Sequence, residues 1–265
     1  MRVKSSSFPN TPLTFFLSRG RERRLDSGLR RNDIQKVEQM KYSAVIFDLG
    51  GTLTRGYAWS HYVDMAREIA RVISATEDDF VRIWFERAAG LGTGVYPSYQ
   101  HFIRHICDQL RLNPPDNVIE LAASISLSTA KKHITVPRDG AIEILTHLKT
   151  NHYKIGLITD CGPDVPALWD ETPFAPFIDV AVFSCTAGMN KGNPDIFRIA
   201  TEKLGVKTQD CMYIADGMRN ELANAANMGM YAVQILIPEE IDDSPIREDW
   251  HGPVISSLRE ILDLL

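Results

Sequence analysis

The chain has 265 residues, 44% of them hydrophobic and 24% charged, and a formal net charge of −5. This length carries one large domain or two small ones, with the balance of an ordinary globular chain, and its acidity gives no general attraction to nucleic acid. The apolar runs are too short to span a bilayer, and the four scattered cysteines, with no CxxC pair, point to a reducing cytoplasm and away from a zinc ribbon or a disulfide scaffold.

Charge is uneven along the chain. Residues 1–39 hold nine Lys/Arg and four Asp/Glu, net +5, which leaves −10 for the remainder. This leader has no sustained apolar period, and three readings compete: a disordered basic tail, an organellar transit peptide, or a mis-assigned start with translation beginning at Met40. Short apolar runs then read as strands at 43–47, 154–158, 180–184, 211–215 and 231–235. Their near-continuous hydrophobicity suits strands buried on both faces, hence a parallel sheet. Helical patterns lie between them at 140–150, 194–204 and 219–228. Asn193 and Pro194 form a start signal for the second, and Gly205 and Gly229 form stop signals. Alternating strand and helix defines a doubly wound α/β domain. One connection breaks the rhythm: 55–136 contains only helical text, at about 58–74, 77–89, 98–112 and 115–131. The expected organisation is therefore a core of 40–54 and 137–265, with a helical cap of 55–136 over the sheet's C-terminal edge.

The chemistry-bearing residues follow strands. The run Val45-Ile46-Phe47-Asp48-Leu49-Gly50-Gly51-Thr52-Leu53 delivers a carboxylate to a Gly-Gly turn. Later loops carry Thr159 and Asp160, then Lys191, then Asp216 and Glu221. In a parallel sheet these loops open on one edge, where open α/β sheets bind ligands. Carboxylates, a hydroxyl and one lysine suit a phosphoryl group and Mg²⁺: oxygen ligands for a hard cation, and a cationic, hydrogen-bonding cradle for phosphate oxygens.

Taken in order, these four motifs and the helical insert resemble the haloacid dehalogenase-like superfamily, in the branch with a helical cap after the first motif. The resemblance runs from about Tyr42 to Ile235. It implies a Rossmann-like core and a Mg²⁺-dependent phosphatase acting on a small phosphorylated metabolite. Asp48 would be the nucleophile that becomes an aspartyl phosphate, Thr159 would bind phosphate oxygens, and Lys191 would neutralise charge. Asp48, the Gly50 carbonyl and Asp216 would bind the metal, with Glu221 supporting it directly or through water. Thr52, Asp160, Tyr57, His61, Tyr99 and His101 are further candidates to touch substrate. The expected protein is cytoplasmic, a monomer or homodimer, with no nucleic-acid or membrane partner.

One position departs from the pattern. Most phosphatases of this family carry a second aspartate two residues after the nucleophile, and here Gly50 stands there. General acid–base help is worth about 10²–10⁴-fold. A cap residue would have to replace it (Tyr57, His61, Tyr99 or His101), or the substrate would need a good leaving group, or catalysis is lost. Two alternatives follow: a metal-independent 2-haloacid dehalogenase-type hydrolase, and a catalytically weak protein that binds phosphate ligands. The phosphonoacetaldehyde hydrolases also lack this aspartate but need a cap lysine; none lies between Thr54 and Ala130, and Lys131 and Lys132 lie only at the cap's exit. His101 and His105 have the spacing of two zinc ligands on one helix face, but no third ligand is evident.

Overall fold

Strand β1 (Ala44–Phe47) is buried at every position, as its uninterrupted apolar sequence requires. The computed structural model describes residues 41–56, 58–240 and 246–265. The basic leader, the alternative start at Met40 and the candidate Tyr57 lie outside them. Five further strands follow: β2 (Lys154–Thr159), β3 (Val180–Phe183), β4 (Cys211–Ala215), β5 (Tyr231–Ile235) and β6 (Val254–Ile255). All pair in parallel, in the order β3-β2-β1-β4-β5-β6. The chain first builds outward from β1 through β2 to β3, then returns to lay β4 on the other side. The junction of β1 and β4 is therefore the switch point, with Ile46 paired to Tyr213 and Phe47 to Ile214.

Alternation along β1 sends side chains to two apolar layers. Val45 and Phe47 join one with Ile144, Leu145 and Leu148 of helix α6 (Ala141–Thr150) and with Leu258 and Ile261. Ala44 and Ile46 join the other with Ile196, Phe197 and Ala200 of α9 (Asp195–Leu204) and Leu222 and Ala225 of α10 (Glu221–Asn227). A sheet covered on both faces by helices is the doubly wound α/β arrangement.

Between β1 and α6 run α1 (Trp59–Val72), α2 (Glu77–Arg87), the short α3 (Ala89–Gly92), α4 (Tyr99–Leu110) and α5 (Asp116–Ile134). They enclose an apolar cluster of their own, built on Ile69, Phe80, Trp84, Phe102, Ile103, Ile106 and Ile119. The two chain crossings at the neck of this insert are tied: Thr54 bridges Pro137, and Arg138 N donates to Leu53 O at 2.8 Å.

Several boundaries differ from the sequence reading. The helix expected from 219 starts at Glu221, because Arg219 and Asn220 both adopt left-handed backbone, φ 56° and 59°. Helix α9 starts at Asp195, and Asn193 still caps it, its Oδ1 accepting from Asp195 N at 3.0 Å. β3 stops at Phe183, where Ser184 opens the short α8 (Ser184–Ala187). β6 was not foreseen, since two residues after a proline carry no readable period.

Candidate active site

Asp48 ends β1 and its backbone N–H donates to Ile214 O of β4 at 2.9 Å, so the nucleophile candidate is anchored at the switch point. The chain then turns sharply through Gly50 (φ −73°, ψ 131°) and Gly51 (φ 74°) and closes with Thr54 N donating to Leu49 O at 3.0 Å. Gly51 is required twice over. Its φ is left-handed, and a Cβ there would lie 2.2 Å from Asp216 Oδ2. Gly50 is the opposite case, with open space around the place a Cβ would occupy. Thr52, fully buried, donates its hydroxyl to Asp48 Oδ2 at 3.4 Å.

Lys191 reaches this carboxylate from the loop before α9. Its Nζ lies 2.6 Å from Asp48 Oδ1 and is also paired with Glu221 Oε2, and all three residues are buried. Its backbone is fixed as well, with N–H donating to Asp160 Oδ1 at 2.9 Å and C=O accepting from Asn224 Nδ2 at 2.9 Å. Glu221 opens α10 and accepts on both oxygens: Oε1 from the backbone of Gly217 and Met218, and Oε2 from Tyr213 and Lys191. Four donors match the four lone-pair positions of a carboxylate. Asp216, at the end of β4, is held through its backbone, its carbonyl accepting from Gln234 Nε2 and Arg247 Nη1. Its side-chain Oδ1 is buried with no hydrogen-bond partner.

The electrostatics follow from this crowding. Burial pushes the Asp48 carboxyl up to about 7, against the pull of Lys191. Burial, then the charges of Glu221 and Asp48, raise Asp216 well above the usual carboxylate range. Burial alone would lower Lys191, but Asp48 and Glu221 beside it carry it well above its ordinary value. The site therefore holds more carboxylate than one lysine neutralises.

A cation fits that imbalance. Ligand oxygens of Asp48, Asp216 and Glu221 lie within 4.8 Å of one another, the one such group among the described residues. An orphaned buried oxygen on Asp216, itself a member of an all-oxygen donor set, is what a hard divalent ion would satisfy.

The other candidates divide. Thr159 is buried at the end of β2, beside β1. Asp160 sits between Lys191 N–H and Arg219, whose Nε is 4.0 Å from its Oδ2. Tyr99, at the start of α4, crosses from the insert to hydrogen-bond Asp164, the first residue of the short helix α7 (Asp164–Leu168) that follows β2. Its hydroxyl comes within 2.8 Å of the place a Gly162 Cβ would occupy. His101 is exposed and hydrogen-bonded to Ser98 Oγ, the cap of its own helix, and His105 to Gln109. The structure places no metal-ligand group around this histidine pair among the described residues. His61 is likewise exposed, the third residue of α1.

Sequence reasoning missed three residues that shape the site. Tyr213 reads as one more apolar strand residue, yet its hydroxyl reaches Glu221. Arg138, 5% exposed, donates to the carbonyls of Gly51, Thr52 and Thr54 and pairs with Glu240. An arginine directly after the insert was the only sequence trace of this clamp, and its partner lies far along the chain.

A family model described as haloacid dehalogenase-like hydrolase matches residues 42–229. The chain belongs to this family and is a hydrolase. Among curated relatives, a glyceraldehyde 3-phosphate phosphatase of Methanocaldococcus jannaschii is 26% identical, over 83% of this chain and 96% of its own length. Among solved structures, a 2-haloacid dehalogenase from Pseudomonas syringae pv. Tomato DC3000 superposes with a TM-score of 0.63 at 16% identity, covering 84% of this chain and 97% of that one. A haloacid dehalogenase family enzyme from Bacteroides thetaiotaomicron, in complex with magnesium and inorganic phosphate, gives 0.57 at 15% identity, covering 77% and 98%. At these identities the two structures share the fold. No helix among the described residues is long and apolar enough to cross a membrane.

Proposed function

We propose that this protein is a Mg²⁺-dependent phosphatase of a small phosphorylated metabolite, and that the helical insert is the cap that closes over its site. The observation that carries the reading is the buried set of Asp48, Lys191, Asp216 and Glu221 gathered at the switch point. Asp48, Asp216 and the Gly50 carbonyl would hold the ion, with Glu221 supporting it by fixing Lys191 and the 217–218 backbone. Bound Mg²⁺ would keep the carboxylates ionised and offset their repulsion from an anionic phosphoester. An Asp48 oxygen then attacks phosphorus, the ester P–O bond breaks, and the phosphoryl group rests on Asp48 until water releases it. Lys191 and Thr159 stabilise the equatorial oxygens as charge develops there. The relative from Methanocaldococcus, aligned along almost its whole length, makes glyceraldehyde 3-phosphate the first substrate to try.

Gly50 favours a second reading, a metal-independent hydrolase of the haloacid type, since its position offers no acid. Asp216 weighs against it, because its buried carboxyl oxygen has no hydrogen-bond partner in the protein and a bound cation would supply one. The deciding experiment is phosphate release from phosphorylated metabolites with Mg²⁺ and with EDTA, using Asp48→Asn as control. Mg²⁺-dependent release that disappears in Asp48→Asn is the expected result. No release from any phosphoester, with EDTA-resistant chloride release from 2-chloropropionate, would replace the first reading by the second.

A further inference from the structure

Cys161 and Cys185 take no part in the site chemistry above, yet they lie together beside it. Cys161 follows Asp160 in the loop after β2, and Cys185 is the second residue of α8 after the neighbouring β3. Their sulfurs are 4.0 Å apart, and Cys185 Sγ also approaches Gly162 O at 3.4 Å. The two segments are held in this apposition by Ser184. Its Oγ accepts from Cys161 N at 3.0 Å and donates to Cys161 O at 3.4 Å. Both cysteines are partly exposed, whereas Cys107 and Cys211 are buried and apart.

We propose that Cys161 and Cys185 form a reversible dithiol–disulfide site, oxidised by hydroperoxides, that cross-links the Thr159–Asp160 loop to the segment leading into Lys191. The sulfurs need to close by about 2 Å to bond, the loop after β2 moving toward the first turn of α8. Their environments also divide the labour. The hydrogen bond from Cys161 brings the Cys185 thiol down to about 7, while burial pushes Cys161 well up. Cys185 is therefore the attacking thiolate and Cys161 the resolving thiol.

The chemistry balances with peroxide as the only oxidant. The Cys185 thiolate attacks one peroxide oxygen, the O–O bond breaks, and the departing hydroxide takes the thiol's proton as water, leaving a sulfenic acid. Cys161 sulfur then attacks Cys185 sulfur. The S–O bond breaks, and the hydroxyl leaves with the Cys161 proton as a second water. Two thiols lose two electrons and one peroxide gains them. An external dithiol reverses the step by thiol–disulfide exchange.

The test uses the full-length protein and needs no knowledge of its substrate. After hydrogen peroxide, alkylation and proteolysis, peptide mapping should find a Cys161–Cys185 linked pair that dithiothreitol releases. Cys107 and Cys211 should become alkylatable only on denaturation. In Cys161→Ser, whose hydroxyl can still donate to Cys185, the Cys185 thiol should accumulate dimedone-reactive sulfenic acid roughly ten-fold above wild type, having lost its resolving partner. Wild-type protein that ends with Cys185 as sulfenic or sulfinic acid and Cys161 still alkylatable would overturn the proposal. The wild-type map decides even if the variant fails to fold.

Discussion

The Tyr213 hydroxyl donates to Glu221 Oε2 at 2.7 Å from within a strand that is buried along its whole length. That bond pins the carboxylate which in turn pairs with Lys191, so a strand residue of the core sets the position of the site's cation. Tyr213→Phe keeps the packing against Phe197 and deletes the donor. It should destabilise the protein by about 1–3 kcal/mol, the cost of a buried acceptor left short of a partner. Urea unfolding measures this, and an unchanged midpoint would show that Glu221 does not depend on Tyr213.

Asp216 and Glu221 should respond differently to amide substitution. Asp216 has the unpartnered oxygen, so Asp216→Asn should abolish saturable Mg²⁺ binding in calorimetric titration. In the proposed function Glu221 supports the ion from behind, and Glu221→Gln should weaken binding by about 10–100-fold, as loss of an outer partner does. Equal losses in the two variants would make Glu221 a direct ligand.

The open space at Gly50 makes its missing side chain testable. Gly50→Asp meets no steric obstacle, and the backbone there has ordinary negative φ. It should raise kcat by up to about 10²-fold on an alkyl phosphate and much less on p-nitrophenyl phosphate, whose leaving group needs no proton. A uniform effect on both substrates would mean the new carboxylate does not act as an acid.

Arg138 gathers the carbonyls of Gly51, Thr52 and Thr54 and the carboxylate of Glu240. Arg138→Ala leaves Glu240 and three carbonyls short of a donor and should cost about 3–5 kcal/mol, with Arg138→Lys recovering only part. Thermal and urea unfolding of the two variants check the order.

Burial pushes Asp164 up to about 6, so in the folded protein it holds its proton where the unfolded chain has released it. The sign follows directly. Between about pH 4 and pH 6 the folded state binds more protons, so this group's contribution to stability falls as pH rises through that window. Asp164→Asn removes the penalty. The variant should match wild type near pH 4 and exceed it by roughly 2–3 kcal/mol at pH 7, at about 1.4 kcal/mol for each pH unit between the two values. A stability difference that does not change with pH would mean Asp164 titrates normally.

Much of this was legible because the chemistry sits where strands end. Asp48, Thr159 and Asp216 each close an apolar run, and parallel pairing then brings them to one edge. Lys191 was readable only through its place between strands, since nothing local marks a buried lysine. What escaped depends on contacts between distant segments. Arg138 and Glu240 are about a hundred positions apart, and Tyr213 looks like any core aromatic until its hydroxyl is located. Of the two left-handed residues before α10, Asn220 is of a type that takes this conformation readily, whereas Arg219 contradicts its helical propensity.

The helical insert leaves and rejoins the sheet domain through one tied neck, Thr54 against Pro137, and keeps an apolar cluster of its own. Such a unit is an interchangeable part. Its helices can drift, lengthen or be replaced without moving Asp48, provided the neck and the Arg138 clamp survive. With the insert as the cap proposed above, preference for one small molecule over another would then change independently of the machinery that acts on it.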